Sequence, residues 1–303
     1  MTEKPRFSLI LPNWNGKDYT IALLESLERV EYPRDRVEVL VADNGSTDGS
    51  VEALAPMLAR LEQAGFARTE LIALGENAGA PAAYNACLER VDPRTDIILH
   101  LDNDTLLFSD TLVEFVRAFE AYPSAGVVGA RMVDYENWDA VVHGAGYLDP
   151  WTLAASERHS ETPVHCDFTM GAGMAIRADL VLQEGLRFPA DFFLYWDDTA
   201  FCVESARRGR PVIYWPAARV AHAVSASSRG LSLFKQYYGI RSKLLLALRS
   251  RSLRWKVGYL IPYYLVGCHR SALRAFLSGD SAAATAGYRA CRDVALGRLG
   301  RQV

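Results

Sequence analysis

Asp102, Asn103 and Asp104 close an apolar run at residues 97–101, so two carboxylates two residues apart sit where a buried strand gives way to a loop. In open α/β sheets ligands collect beyond the carboxyl ends of the strands, and alternate carboxylates offer hard oxygen ligands suited to Mg²⁺ or Mn²⁺. The same residue types also make ordinary turns. A second acidic pair, Asp197 and Asp198, follows the aromatic run 192–196 at the start of a helix. An aspartate there can cap the helix, or act as a general base if apolar surroundings raise its pKa. His222 stands at the end of a short apolar segment, as a metal ligand or as a satisfied hydrogen-bonding group. Asp43 precedes Asn44-Gly45-Ser46, a turn-forming run in its own right.

The elements that must position these groups alternate over the first hundred residues. Strands are expected at 7–12, 37–43, 70–74 and 97–102, with helices near 19–29, 50–64 and 81–91 between them. That alternation predicts a mainly parallel sheet wrapped by helices. Each strand runs into a polar loop, Asn13 to Gly16, Asn44 to Thr47 and Gly75 to Gly79, and these gather with the acidic loop along one rim. A helix from Ser109 leads to an apolar segment at 126–132, then to a mixed region with Gly144, Gly146, Gly171 and Gly173. Helix 199–208, ended by Gly209, and two short strands at 212–215 and 219–222 follow. Ser225 to Ser228 is expected to be a hinge, and the tail beyond it helical. No internal repeat or low-complexity tract is visible.

Half of the 303 residues are hydrophobic, enough for a sizeable core, which excludes disorder. The five cysteines are scattered and lack a CxxC pair, which argues against a disulfide scaffold or structural zinc site and for a reducing compartment. The apolar stretch near the N-terminus is too short for a signal peptide, so a cytoplasmic protein is expected. The net charge of −3 hides a split: residues 1–228 hold 19 Lys and Arg against 34 Asp and Glu, whereas residues 229–303 hold 14 against 2. Such asymmetry points to an anionic partner for the tail. Its most apolar stretch, 257–267, is interrupted by Pro262 and falls short of the roughly 20 residues that span a bilayer. Residues 231–303 therefore either lie on anionic membrane or pack on the catalytic domain or a second subunit with their arginines solvated. Charge alone does not indicate nucleic acid, and none is expected as a partner.

Four blocks in order carry a family likeness: Pro12-Asn13-Trp14-Asn15-Gly16; Val41 through Asp43 to Ser50; Asn77-Ala78-Gly79 with Asn85; and Leu101-Asp102-Asn103-Asp104-Thr105. Segments 192–198 and 216–222 extend it. Over about residues 7–228 the chain resembles the family 2 glycosyltransferases of the GT-A fold, particularly the bacterial rhamnosyltransferase-like branch. The resemblance implies an α/β GT-A fold, with a Rossmann-like, mainly parallel central sheet flanked by helices and a C-terminal helical tail. It divides the chain into a catalytic domain, 1–228, and a basic helical region, 229–303. Within the domain, 1–105 forms the nucleotide-sugar-binding half and 106–228 the acceptor-binding half.

By the same resemblance Asp104 ligates Mn²⁺ or Mg²⁺, Asp102 binds ribose or metal, and His222 adds a ligand. Asp43 recognises the base, and Trp14 stacks on it or packs on the sheet. Asn77 and Gly79 admit the nucleotide close to the backbone, with Pro12, Asn15 and Asn103 completing the donor-binding set. Asp198 is the expected general base and Asp197 orients acceptor or base; Gly171-Ala172-Gly173 shapes the cleft or makes a tight bend. The implied reaction is a single inverting displacement from a dTDP-rhamnose or UDP-sugar donor. The acceptor is a glycan, a lipid-linked or a small-molecule hydroxyl; a homodimer stays open. Two departures stand out: the acidic pair is Asp-Asp followed by Thr199 and Ala200 where the family usually has Glu-Asp and a later Asp, and Glu184 to Pro189 replaces a Gly-Phe-Asp-Glu type stretch. A non-catalytic GT-A-like nucleotide-sugar-binding protein is the alternative. A nicotinamide-dependent oxidoreductase is disfavoured because no GxGxxG turn follows the first strand.

Overall fold

The computed structural model describes residues 3–223, 232–250 and 281–302, with residues 255, 258, 262, 266, 273 and 277 between them. The expected hinge at 225–228, and with it the boundary at 228, lies outside the described residues, as does most of the apolar stretch 257–267.

The chain opens with strand β1 (Phe7–Asn13), helix α1 (Lys17–Leu27), β2 (Val37–Asp43), α2 (Ser50–Gln63), β3 (Arg68–Ala73), α3 (Ala80–Leu88) and β4 (Ile97–His100). β1 pairs in parallel with β2 and β4, and β2 with β3, so the expected parallel half is present. Alternation along β1 explains why this sheet is covered on both sides. Leu9 and Leu11 enter one apolar cluster with Leu23, Leu54 and Phe115, while Ile10 enters a second with Tyr84, Leu88 and Phe201. A strand buried on both faces must be apolar throughout, as 7–11 nearly is.

The second half follows a turn. β5 (Thr105–Leu107) and α4 (Thr111–Ala121) lead to β6 (Val127–Asp134), β7 (Val141–His143), β8 (Ala145–Leu148), β9 (Ala155–Arg158), β10 (Val164–Cys166) and β11 (Met174–Arg177). α5 (Ala178–Leu182) and α6 (Asp197–Arg207) precede β12 (Val212–His222). The strand order β10-β12-β6-β11-β4-β1-β2-β3 continues the parallel half into a mixed sheet, in which β11 lies antiparallel to both β4 and β6. The two short strands expected at 212–215 and 219–222 form one strand, β12, whose register to β6 shifts between Trp215 and Arg219. Pro216 falls within that shift; without an N–H it cannot continue a ladder, and an irregularity accommodates it.

The tail contributes α7 (Ser232–Ser250) and α8 (Ser281–Ala295), which pack on each other. Of the two placements expected for the tail, packing on the preceding part of the chain is realised by α7, which contacts α6 and residues 190–192, with one correction. Its arginines are not all solvated, since Arg241 is fully buried.

Candidate active site

The acidic loop and the last strand meet through strand pairing. β5 runs antiparallel to β12 with Thr105 opposite His222, and the Ala223 N–H donates to the Asp104 carbonyl at 3.0 Å. This register brings His222 Nε2 to 3.1 Å from Asp104 Oδ1 and 3.8 Å from Asp102 Oδ2. One ligand atom from each of Asp102, Asp104 and His222 lies within 4.8 Å of the others. Tyr84, on α3, donates its hydroxyl to Asp102.

The electrostatics are those of a site built for positive charge. Burial pushes the Asp102 carboxyl up to about 6, with His222 opposing that shift and the Asp104 charge adding to it. Burial would lower His222, yet the hydrogen bond to Asp104 and the two carboxylate charges outweigh it and raise the imidazole. Two carboxylates and an imidazole converging on one point fit a divalent cation bound through Nε2.

Asp197 and Asp198 open α6, and neither caps it: residue Trp196 occupies the cap position without a side-chain bond. Asp198 Oδ2 accepts the Gly171 N–H at 3.0 Å, and Oδ1 accepts the Thr199 N–H at 2.5 Å and hydroxyl at 3.2 Å. Burial raises the Asp198 carboxyl despite those bonds. Asp197 rises well above the usual range through burial and then the Asp198 charge. Gly171 is required at its place, since a Cβ there would stand 2.4 Å from the His100 ring.

The segment before α6 is strained. Phe193, Tyr195 and Trp196 have φ of 67°, 63° and 65°, and bulky residues held so cost about 1–3 kcal/mol each. The Phe193 carbonyl accepts the Ala80 N–H at 2.9 Å, tying this segment to the loop at 77–80. Gly79 (φ +93°) makes room for the contact, because a Cβ there would lie 2.5 Å from that carbonyl.

These groups share one cleft of about 450 Å³, a size typical of small-molecule sites. Pro12, Trp14, Asn77, Gly79, Asp102, Asn103, Asp104, Asp197, Asp198 and His222 all line it. Asp43 and Asn15 do not. Asp43 is buried, its two oxygens taken by Asn13 Nδ2 at 2.8 Å and Ser46 N–H at 2.9 Å, and Asn15 Oδ1 accepts the Thr47 N–H at 2.7 Å. Both pin the first two loops together instead of facing the cleft. Gly171 and Ala172 also line the cleft. Sequence reasoning passed over Tyr84, Asn44, His143 and Glu157. Asn44 stitches the second loop to the third through Ala78 N–H at 2.9 Å and Asn77 at 3.1 Å, and an asparagine after a strand was a visible signal. His143 and Glu157, 3.0 Å apart on β7 and β9, reach the cleft through a hairpin region with no local signature.

Comparison with known proteins agrees with this geometry. The profile of glycosyl transferase family 2 matches residues 8–182, and that of glycosyl transferase family group 2 matches residues 97–292. An N-acetylglucosaminyltransferase of Rhizobium sp. (strain N33) is 29% identical over 147 residues, covering 44% of this chain and 31% of its own. The N-acetylglucosaminyl-diphospho-decaprenol L-rhamnosyltransferase of Mycobacterium tuberculosis is 23% identical over 214 residues, 61% of this chain and 66% of its own. The chain spans less than two thirds of the length of these relatives. Among solved structures, the mannosyltransferase PcManGT of Pyrobaculum calidifontis, in complex with GDP-Man and Mn²⁺, superposes with a TM-score of 0.62 at 20% identity, over 97% of this chain and 76% of its own. TarS 1-349 of S. aureus with UDP gives 0.57 at 19% identity, over 80% and 65%. The architecture is the GT-A fold, a mixed α/β sheet flanked by helices with its ligand groups at the strand ends, and the chain belongs to glycosyl transferase family 2.

Proposed function

We propose that the chain is an inverting, metal-dependent glycosyltransferase that moves a hexosyl group from a nucleoside diphosphate sugar to an acceptor hydroxyl. The observation that carries this reading is the presence, in one cleft, of the Asp102, Asp104 and His222 cluster and of a carboxylate pair, buried Asp197 and half-buried Asp198. The first suits a diphosphate and the second a hydroxyl that must lose a proton.

Asp102, Asp104 and His222 would hold Mn²⁺ or Mg²⁺, and the imidazole favours Mn²⁺ because Mg²⁺ prefers oxygen ligands alone. When bound, the cation supplies a Lewis acid that neutralises charge on the departing diphosphate. Pro12, Trp14, Asn77, Gly79 and Asn103 cradle the donor, and Asp43 and Asn15 hold the loops that carry them. Asp198 has roughly four lone-pair sites, and three accept bonds from Gly171 and Thr199. One remains on Oδ2 to take the acceptor proton. Burial raises its pKa above the ordinary carboxylate value, which makes it a stronger proton acceptor. As the acceptor oxygen attacks the anomeric carbon, the nucleoside diphosphate leaves from the opposite face, inverting the configuration.

A dTDP-rhamnose or UDP-sugar donor is supported by the rhamnosyltransferase relative and by the neighbour solved with UDP. The acceptor is a cell-surface glycan precursor, lipid-linked or soluble. Residues 231–303 would hold the domain 1–228 at the inner face of the membrane: Val266, Leu273 and Leu277 are exposed, and among the described residues no helix is long and apolar enough to cross a bilayer. The test is release of nucleoside diphosphate from a donor panel with Mn²⁺ and candidate acceptors, with the product's anomeric configuration read by NMR. An inverted product supports the reading, and no release from any donor by folded protein contradicts it.

A further inference from the structure

The segment that delivers Asp197 and Asp198 carries three bulky residues at positive φ, none of them glycine, so something outside the segment must hold it. Its backbone shows what does. Four consecutive carbonyls, 191 to 194, each find a donor from elsewhere in the chain. Arg241 Nη2 donates to the Asp191 carbonyl at 3.0 Å and Nη1 to the Phe192 carbonyl at 3.4 Å. The Phe193 carbonyl is taken by Ala80 N–H at 2.9 Å. The Ser242 hydroxyl lies 2.8 Å from the Leu194 carbonyl and 3.2 Å from that of Phe192; with one proton to give, it serves the nearer. Tyr238, three residues before Arg241, stacks on the Phe193 ring with centroids 4.9 Å apart.

Arg241 is the unusual member. It is fully buried, and among the described residues its three hydrogen bonds all go to backbone carbonyls, the third being that of Arg298 at 3.3 Å. A guanidinium taken wholly out of water is costly, and an apolar side chain of similar volume is often at least as stabilising. Its fork of donors is matched to successive carbonyls in a way no apolar residue can copy.

We infer that α7 is part of the transfer site, with Arg241 and Ser242 as positioning residues that clamp the 191–194 carbonyls and so fix Asp197 and Asp198 in the cleft. The inference rests on the glycosyltransferase reading for its kinetic consequence only. Because Ala80 holds the intervening carbonyl, the same clamp joins the donor loop to the base-bearing segment.

The test uses the full chain with Ser242→Ala, Arg241→Met and Arg241→Lys. Amide hydrogen exchange at residues 193–199 is expected to quicken by about tenfold or more in the first two variants, a sign of local opening. In the same variants kcat falls about tenfold or more while donor KM stays within about twofold, since misplacing a reacting group costs rate. Arg241→Lys, which keeps a charged donor, recovers part of both. Unchanged exchange at 193–199 in Ser242→Ala and in folded Arg241→Met overturns the clamp whatever the rates do, and so does faster exchange with unchanged kcat. Should Arg241→Met fail to fold, Ser242→Ala decides. If the parent chain transfers no sugar, the functional reading fails, while the exchange data still decide whether the clamp exists.

Discussion

On one side of the cleft, Asp102, Asp104 and His222 are placed by regular strands: β4 ends two residues before Asp102, and Thr105 of β5 pairs with His222 of β12. On the other side, Asp197 and Asp198 follow a segment with three positive-φ aromatic residues, in which α7, some 50 residues later, holds the carbonyls of Asp191, Phe192 and Leu194. Sheet geometry makes the first side rigid at no cost in backbone strain. The second side stores strain and depends on distant contacts, an arrangement common where a group must be held against its own preference. The first is therefore expected to tolerate changes around it, and the second to respond to substitutions that never touch the cleft.

The largest effects should separate the two sides by function. Asp198→Asn is expected to lower the transfer rate by about 10²–10⁴, the worth of a general base, with donor binding by calorimetry unchanged. Asp104→Ala should remove both, lowering kcat/KM by about 10²-fold or more and abolishing the gain from Mn²⁺. Equal losses of donor affinity in the two variants would erase the distinction between the sides.

A smaller effect tests the joint between them. Gly79→Ala forces a side chain onto a φ of +93° and against the Phe193 carbonyl, and should cost about 1–3 kcal/mol in denaturant unfolding. Gly49→Ala also meets a positive φ but nothing within 4 Å, and should cost less.

The gentlest comparison is with pH. Burial raises Asp197 and Asp198, so the folded chain binds protons that the unfolded chain releases once pH passes the ordinary carboxylate value. Their contribution to stability is full below that value and is lost as pH rises toward the raised ones. Asp197→Asn should remove part of this slope, raising Tm relative to the parent at neutral pH but not in acid. The rate should show an acid limb above the usual carboxylate range that Asp198 sets. A neutral-pH Tm for Asp197→Asn at or below the parent's would show that the carboxylate is not under this strain.

How much the sequence reveals follows the same division. The parallel half is written in apolar runs that end in polar loops, because a strand buried on both faces has no alternative composition, and several residues at those ends, among them Trp14, Asn77 and Asp102, line the cleft. Asp43 and Asn15 were legible as loop residues but not as inward-turned ones, since which way a side chain leaves a loop depends on partners such as Ser46 and Thr47. Pro216 hid the continuity of β12, because a proline inside a strand usually signals its end. The role of α7 was hidden for a deeper reason. Arg241 binds backbone carbonyls, which every residue has, so no pairing of side-chain types announces it, and in a tail so rich in arginine it looked like one more solvated charge.

The most direct test of the central claim is calorimetric titration of the purified chain with UDP-, GDP- and dTDP-sugars, with and without Mn²⁺, in the parent, Asp104→Ala and Asp198→Asn. The account predicts that one donor binds, that Mn²⁺ strengthens it, and that Asp104→Ala loses this gain while Asp198→Asn keeps it. Binding that is indifferent to Mn²⁺ and to Asp104, or no binding by folded protein, would contradict it.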